Sequence, residues 1–157
     1  MQPAIDLAVT DELETDGDRL YQLASNAVQA TVEVAGLKIH QDAELSVLVA
    51  DDPTLRALNL EWRGIDKPTN VLSFPGSELS AGDPSDPVLG DIAISFETVW
   101  REAALENKQV DAHFLHLIIH GFLHLFGYDH ETEEQADEME GLEIRILEQL
   151  GIANPYD

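Results

Sequence analysis

The chain has 157 residues, the size of one ordinary domain and enough to bury a core without disulfide or metal staples; residues 1–157 are read as a single domain. It contains no cysteine, which excludes a disulfide framework, a thiolate nucleophile and any Cys-held zinc or iron–sulfur site, and leaves metal binding to His, Asp and Glu. Eight Lys and Arg against 31 Asp and Glu give a formal net charge of −23, which also excludes a chain that grips phosphate backbones by general basicity.

The opening MQPAIDLAVTDELETD has no basic segment leading into a long apolar one, and no later window approaches the length of a membrane span, which predicts a soluble cytoplasmic protein. AIDLAVT alternates Ile5, Leu7 and Val9 with small or polar residues and predicts a short strand. From Asp18 to about Val34, Leu20, Leu23, Ala24, Ala27, Val28 and Val32 recur at helical spacing, and Gly36 follows. AELSVLVAD returns to strand with Leu45, Val47 and Val49 on one face, and DPTLRALNLEW predicts a helix entered through Asp52 and Pro53.

TNVLSFP and LGDIAIS predict two more strands, separated by GSELSAGDPSDPV, whose Gly, Pro, Ser and acidic residues predict a mobile loop. Three helices close the chain: FETVWREAALEN, a long buried DAHFLHLIIHGFLHLFG, and TEEQADEMEGLEIRILEQLG with Met139, Leu142, Ile146 and Leu150 on its apolar face. Strand, helix, strand, helix, two strands and then a run of helices predict an α+β fold, a small mixed β-sheet packed against helices rather than a doubly wound sheet.

Three of the six histidines fall in HGFLHLFGYDH, at His120, His124 and His130. On a helix a four-residue step advances the side chain by only about 40°, so His116, His120 and His124 form one stripe with His113 close beside it. Phe114, Leu115, Ile118, Ile119, Phe122, Leu125 and Phe126 occupy the rest of the surface, so the helix is largely buried. Two imidazoles four residues apart can present their nitrogens to one metal ion about 2 Å from each. Gly127 can end the helix in a left-handed turn that returns His130 to the same ion as third ligand. Three protein ligands leave one position open, as in a catalytic zinc site; nickel, copper or iron would also suit imidazole.

The spacing is similar to the H-E-x-x-H-x-x-G-x-x-H of the metzincin proteases, a zincin-like metal helix, except that Gly121 stands where those enzymes carry their glutamate base. Asp129 could orient a ligand imidazole. His113 and His116 read equally as supports for a ligand, as substrate contacts or as core residues.

LNLEWRGIDKPTNVLSFP at Leu58–Pro75, LGDIAIS at Leu89–Ser95 and HLIIHGFLHLFGYDH at His116–His130 together resemble the YbeY-type bacterial endoribonucleases, in that family's order. The resemblance implies metal ligands at His120, His124 and His130, a functional arginine at Arg63, and an enzyme that cuts single-stranded RNA in 3′-end maturation of small-subunit ribosomal RNA and in ribosome quality control. The chemistry agrees: zinc can activate water and offset charge on a phosphodiester, and a planar guanidinium can clamp its free oxygens. Against this, Arg63 could equally form an ordinary ion pair with Glu61 or Asp66.

The strand in TNVLSFP, if it lies at the sheet edge beside the metal helix, could guide a single-stranded substrate. The acidic surface is reconciled with RNA if a ribosome or basic ribosomal protein presents the substrate; the residues set no oligomeric state. Two other readings compete, a metal-dependent hydrolase of peptides or small amides, which Gly121 opposes, and a noncatalytic ribosome-associated module with a closed metal site.

Overall fold

The computed structural model describes residues 2–10 and 15–156; residues 11–14 of the opening segment lie outside them. In chain order the described residues form β1 (Ala4–Val9), α1 (Gly17–Ala35), β2 (Glu44–Ala50), α2 (Asp52–Arg63), β3 (Val71–Pro75), β4 (Val88–Ser95), α3 (Phe96–Leu105), α4 (Val110–Leu125) and α5 (Glu133–Gln149). The strands lie in the order β1-β2-β4-β3. β1, β2 and β4 run parallel, whereas β3 joins β4 antiparallel at the edge, so the sheet is mixed as the element order predicts.

The helix ends follow from local chemistry. Asp16 caps α1 by accepting from the amides of Asp18 and Arg19, Asp51 caps α2 by accepting from Thr54, and Thr132 and Gln135 form a reciprocal capping box at α5. Each satisfies amide donors that the first helical turn leaves without partners.

Alternation along the strands sorts side chains to two faces. Leu45, Val47, Val49, Ile92 and Ile94 are buried together with residues of α1, α4 and α5, including Leu20, Val28, Phe114, Ile118, Phe122, Met139 and Ile146. Ala50, Leu72 and Ala93 point the other way and are buried with Leu55 of α2. Helix α4 lies inside the larger layer, with Phe114, Ile118, Ile119, Phe122 and Leu123 wholly buried. No helix is long and apolar enough to cross a membrane among the described residues.

The β3–β4 connection is irregular, as its Gly and Pro content predicts, but it is anchored rather than loose. The Ser85 amide donates to the Lys38 carbonyl at 2.9 Å, the His40 amide donates to Ser85 Oγ at 2.8 Å, and Leu79 packs against the main core. A serine hydroxyl reaching a distant backbone amide leaves no mark on composition, which is why the segment reads as mobile.

Candidate active site

Helix α4 ends where the sequence places its stop. Gly127 has φ +89°, its amide donates to the His124 carbonyl at 3.0 Å, and the Tyr128 amide donates to the Leu123 carbonyl at 3.2 Å, the paired bonds of a Schellman turn. A Cβ at Gly127 would lie 2.2 Å from the Leu79 carbonyl oxygen, so the β3–β4 connection crosses directly over the turn and only glycine fits. The chain then reverses and brings His130 back to α4.

One ligand nitrogen or oxygen from each of His120, His124 and His130 lies within 4.8 Å of the others. The Nε2 atoms of His120 and His124 are 3.1 Å apart, close to the roughly 3.3 Å expected of two nitrogens on one tetrahedral zinc ion. His120 Nδ1 is 2.8 Å from Glu143 Oε2 on α5, a carboxylate with no solvent exposure. Burial pushes the Glu143 carboxyl up, but hydrogen bonds from His116 and His120 outweigh it and hold the pKa at about 2. An ionised carboxylate only accepts, so the His120 proton is on Nδ1 and, in the neutral ring, the Nε2 lone pair is free for a metal. Burial, followed by the neighbouring His120 and His130, lowers the pKa of His124 and favours its neutral form. With His130 beside these two rings, the three imidazoles make a donor set that fits a zinc ion.

Glu143 lies between Met139, Leu142, Ile146 and Leu147, all buried. A lone carboxylate on the apolar side of an amphipathic helix is the only mark it leaves on the sequence, where its hydrophobic neighbours dominate the pattern. Asp129, the expected partner of a ligand ring, instead accepts from the His130 amide at 2.8 Å and shapes the turn.

His113 and His116 also meet acids. His113 Nε2 is 2.8 Å from Glu102 Oε1 on α3, and the Asn70 side chain donates to the same carboxylate at 3.1 Å, tying α3, α4 and the start of β3 together. His116 Nε2 lies 3.4 Å from Glu143 Oε2 and 3.3 Å from the Tyr156 hydroxyl, which itself donates to Glu143 Oε1.

Gly121 faces the sheet. A Cβ there would be 3.0 Å from Ser73 Oγ and 3.3 Å from Ile92 Cγ2, and Ser73 Oγ donates to the Gly121 carbonyl at 3.0 Å. Close helix–sheet packing thus occupies the position at which a metzincin carries glutamate, and a side chain of that size does not fit without moving β3 or β4.

The triad opens into a cleft of about 880 Å³ that Arg63, Val71, Ser73, Lys108, Asp129 and Tyr156 also line. Arg63 is exposed at the end of α2, where Gly64 turns the chain with φ +71°. The expected ion pair with Asp66 is not made by Arg63: Arg56 takes that carboxylate through two hydrogen bonds of 2.7 and 3.1 Å. Among the described residues no hydrogen bond or ion pair engages the Arg63 guanidinium. The structure brings His120, His124, His130 and Arg63, all expected from the sequence, to one cleft, while the contacts of Glu143, Glu102, Lys108 and Tyr156 come from the fold alone.

An α+β fold that gathers three histidines from one helix and its turn at a cleft defines a protein with a candidate metal site. Comparison with known proteins narrows this class: a profile of the family described as Endoribonuclease YbeY matches residues 7–151, and the chain belongs to that family. It is 50% identical over 146 residues to an Endoribonuclease YbeY of Rhizobium meliloti, covering 93% of this chain and 86% of that one. It is 51% identical over 147 residues to its namesake in Rhodopseudomonas palustris, covering 92% and 83%. The solution structure of TM1509 from Thermotoga maritima shares the fold, with a TM-score of 0.58, 24% identity, and coverage of 99% of this chain and 95% of that one.

Proposed function

We propose that this chain, acting as one domain, is a zinc-dependent endoribonuclease specific for single strands. In this reading it works in the cytoplasm on the 3′ end of small-subunit ribosomal RNA and in ribosome quality control, with the ribosome or its proteins presenting the RNA. The observation that carries the reading is the convergence of His120, His124, His130 and Arg63 on one cleft. The names of relatives that are half identical over most of the chain supply the reaction class.

The roles follow from the residues. His120, His124 and His130 hold the metal, and Glu143 fixes the His120 ring in its ligating tautomer. A zinc ion there supplies a Lewis acid that lowers the pKa of water and offsets charge on a phosphoryl oxygen. Arg63, unclaimed by any carboxylate among the described residues, is the catalytic arginine: its planar guanidinium grips the non-bridging oxygens of the phosphate as their charge grows. β3 is a sheet edge lining the same cleft, which supports the entry of a strand beside α4. Gly121, pressed against Ser73 and Ile92, offers no peptidase-type base and weighs against hydrolysis of peptides.

The test is cleavage of an end-labelled small-subunit ribosomal RNA fragment with a single-stranded 3′ tail. The native protein cuts it, chelated protein and H124A do not, and R63E keeps its metal but loses cutting. Equal cutting by H124A, or none by native protein even with ribosomal subunits present, overturns the reading.

A further inference from the structure

Beyond the last helix, Pro155 and Tyr156 line the cleft, and they lie outside the region matched to the family. Lys108 pins this tail by donating from Nζ to the Pro155 carbonyl at 3.1 Å, and the Tyr156 amide donates to Asn154 Oδ1 at 2.8 Å. The Tyr156 hydroxyl donates to the wholly buried Glu143, while the residue as a whole is 46% exposed and lines the cleft. The Tyr156 and His116 ring centroids are 5.6 Å apart and those of His116 and His120 are 6.5 Å apart, so one side chain separates the aromatic ring from the triad.

We propose that Tyr156 is a nucleobase subsite: its ring stacks on a base of the RNA strand next to the scissile phosphate. Stacking is sequence-tolerant, because every base has a π-face, and it gives affinity without positive charge, which this chain largely lacks. The hydroxyl bond to Glu143 and the Lys108 clamp fix the ring before the strand arrives, which reduces the ordering cost of binding. Lys108 is, with Arg63, one of two cations that line the cleft; its ammonium lies 3.7 Å from Glu106 Oε1 as well as on the Pro155 carbonyl, so its part is to hold the tail that carries the ring.

This subsite rests on the ribonuclease reading, and the experiment separates the two. Native protein, Y156F and Y156L are assayed on a short labelled single-stranded RNA and on copies in which one nucleotide at a time near the cut is abasic, with KM and kcat measured separately. Y156L raises KM at least about fivefold, a penalty that vanishes on the RNA lacking the stacked base; Y156F keeps most of the affinity, its loss of the Glu143 bond falling on kcat. Equal KM increases in Y156F and Y156L, or a leucine penalty unchanged on every abasic RNA, overturn the subsite. If native protein cuts and Y156L matches it, the subsite alone is overturned; if native protein cuts no RNA, the ribonuclease reading falls and the subsite with it.

Discussion

Removing the charge of Glu143 while keeping its shape isolates what this carboxylate does for the triad. In the folded protein it accepts from His120, lies near His116 and takes the Tyr156 hydroxyl, all without contact with solvent. A glutamine can still offer its carbonyl to one of these donors, but its amide nitrogen meets a donor on the other side and the negative charge behind the His120 ring is gone. E143Q is therefore expected to bind zinc about 10- to 100-fold more weakly, measured by competition with a chromogenic chelator, while its circular dichroism stays native. Unchanged affinity would show that the histidines orient themselves without the buried acid.

At the scale of elements, the junction of α2 with α3 is held by one carboxylate. Asp52 accepts from the Thr98 hydroxyl at 2.6 Å and from Arg101 at 3.2 Å, and it also receives the hydroxyl of Ser95, the residue that caps α3. Burial raises the Asp52 pKa, but the bonds from Ser95, Thr98 and Arg101 overcome it and hold the value below the ordinary 3.8. With the folded value depressed, this contribution to stability is fully present above pH 3.8 and is lost as the pH falls through the lower folded value. D52N should lose about 2 kcal/mol at neutral pH, lowering Tm by roughly 4–8 °C, and its deficit should narrow in acid. A thermal melt series across pH showing a constant deficit would refute the assignment. The helices themselves were legible in sequence because periodicity and caps are local signals: Gly36 and Gly127 end α1 and α4 as turn chemistry requires. The triad was legible because all three ligands come from one helix and its turn. Glu143, Tyr156 and Glu102 reach the histidines from α5, the tail and α3, and these contacts span 11 to 40 residues in sequence, distances that only tertiary packing closes.

For the molecule as a whole, the acidic charge and the proposed substrate make a quantitative demand on how binding responds to salt. Each phosphate neutralised on a single strand contributes a slope of about −0.7 to the dependence of log affinity on log salt. The side chains of the cleft supply two cations, Arg63 and Lys108, so in the metal-free protein counterion release sets a slope no steeper than about −1.4. Acting against it, the surrounding charge of −23 repels the strand, and added salt screens that repulsion over a Debye length of about 10 Å at 0.1 M. Free single-stranded RNA should therefore bind this chain with a shallow salt slope, flattened further at low ionic strength, where unscreened repulsion is greatest. Fluorescence polarisation of a labelled RNA titrated across potassium chloride concentrations measures it directly. A slope as steep as that of a basic RNA-binding protein would mean that many more phosphates are neutralised than this cleft can reach, and would place the RNA elsewhere on the surface. A shallow slope joined to a much steeper one for ribosomal subunits would locate the missing positive charge on the partner, where an acidic enzyme finds attraction instead of repulsion.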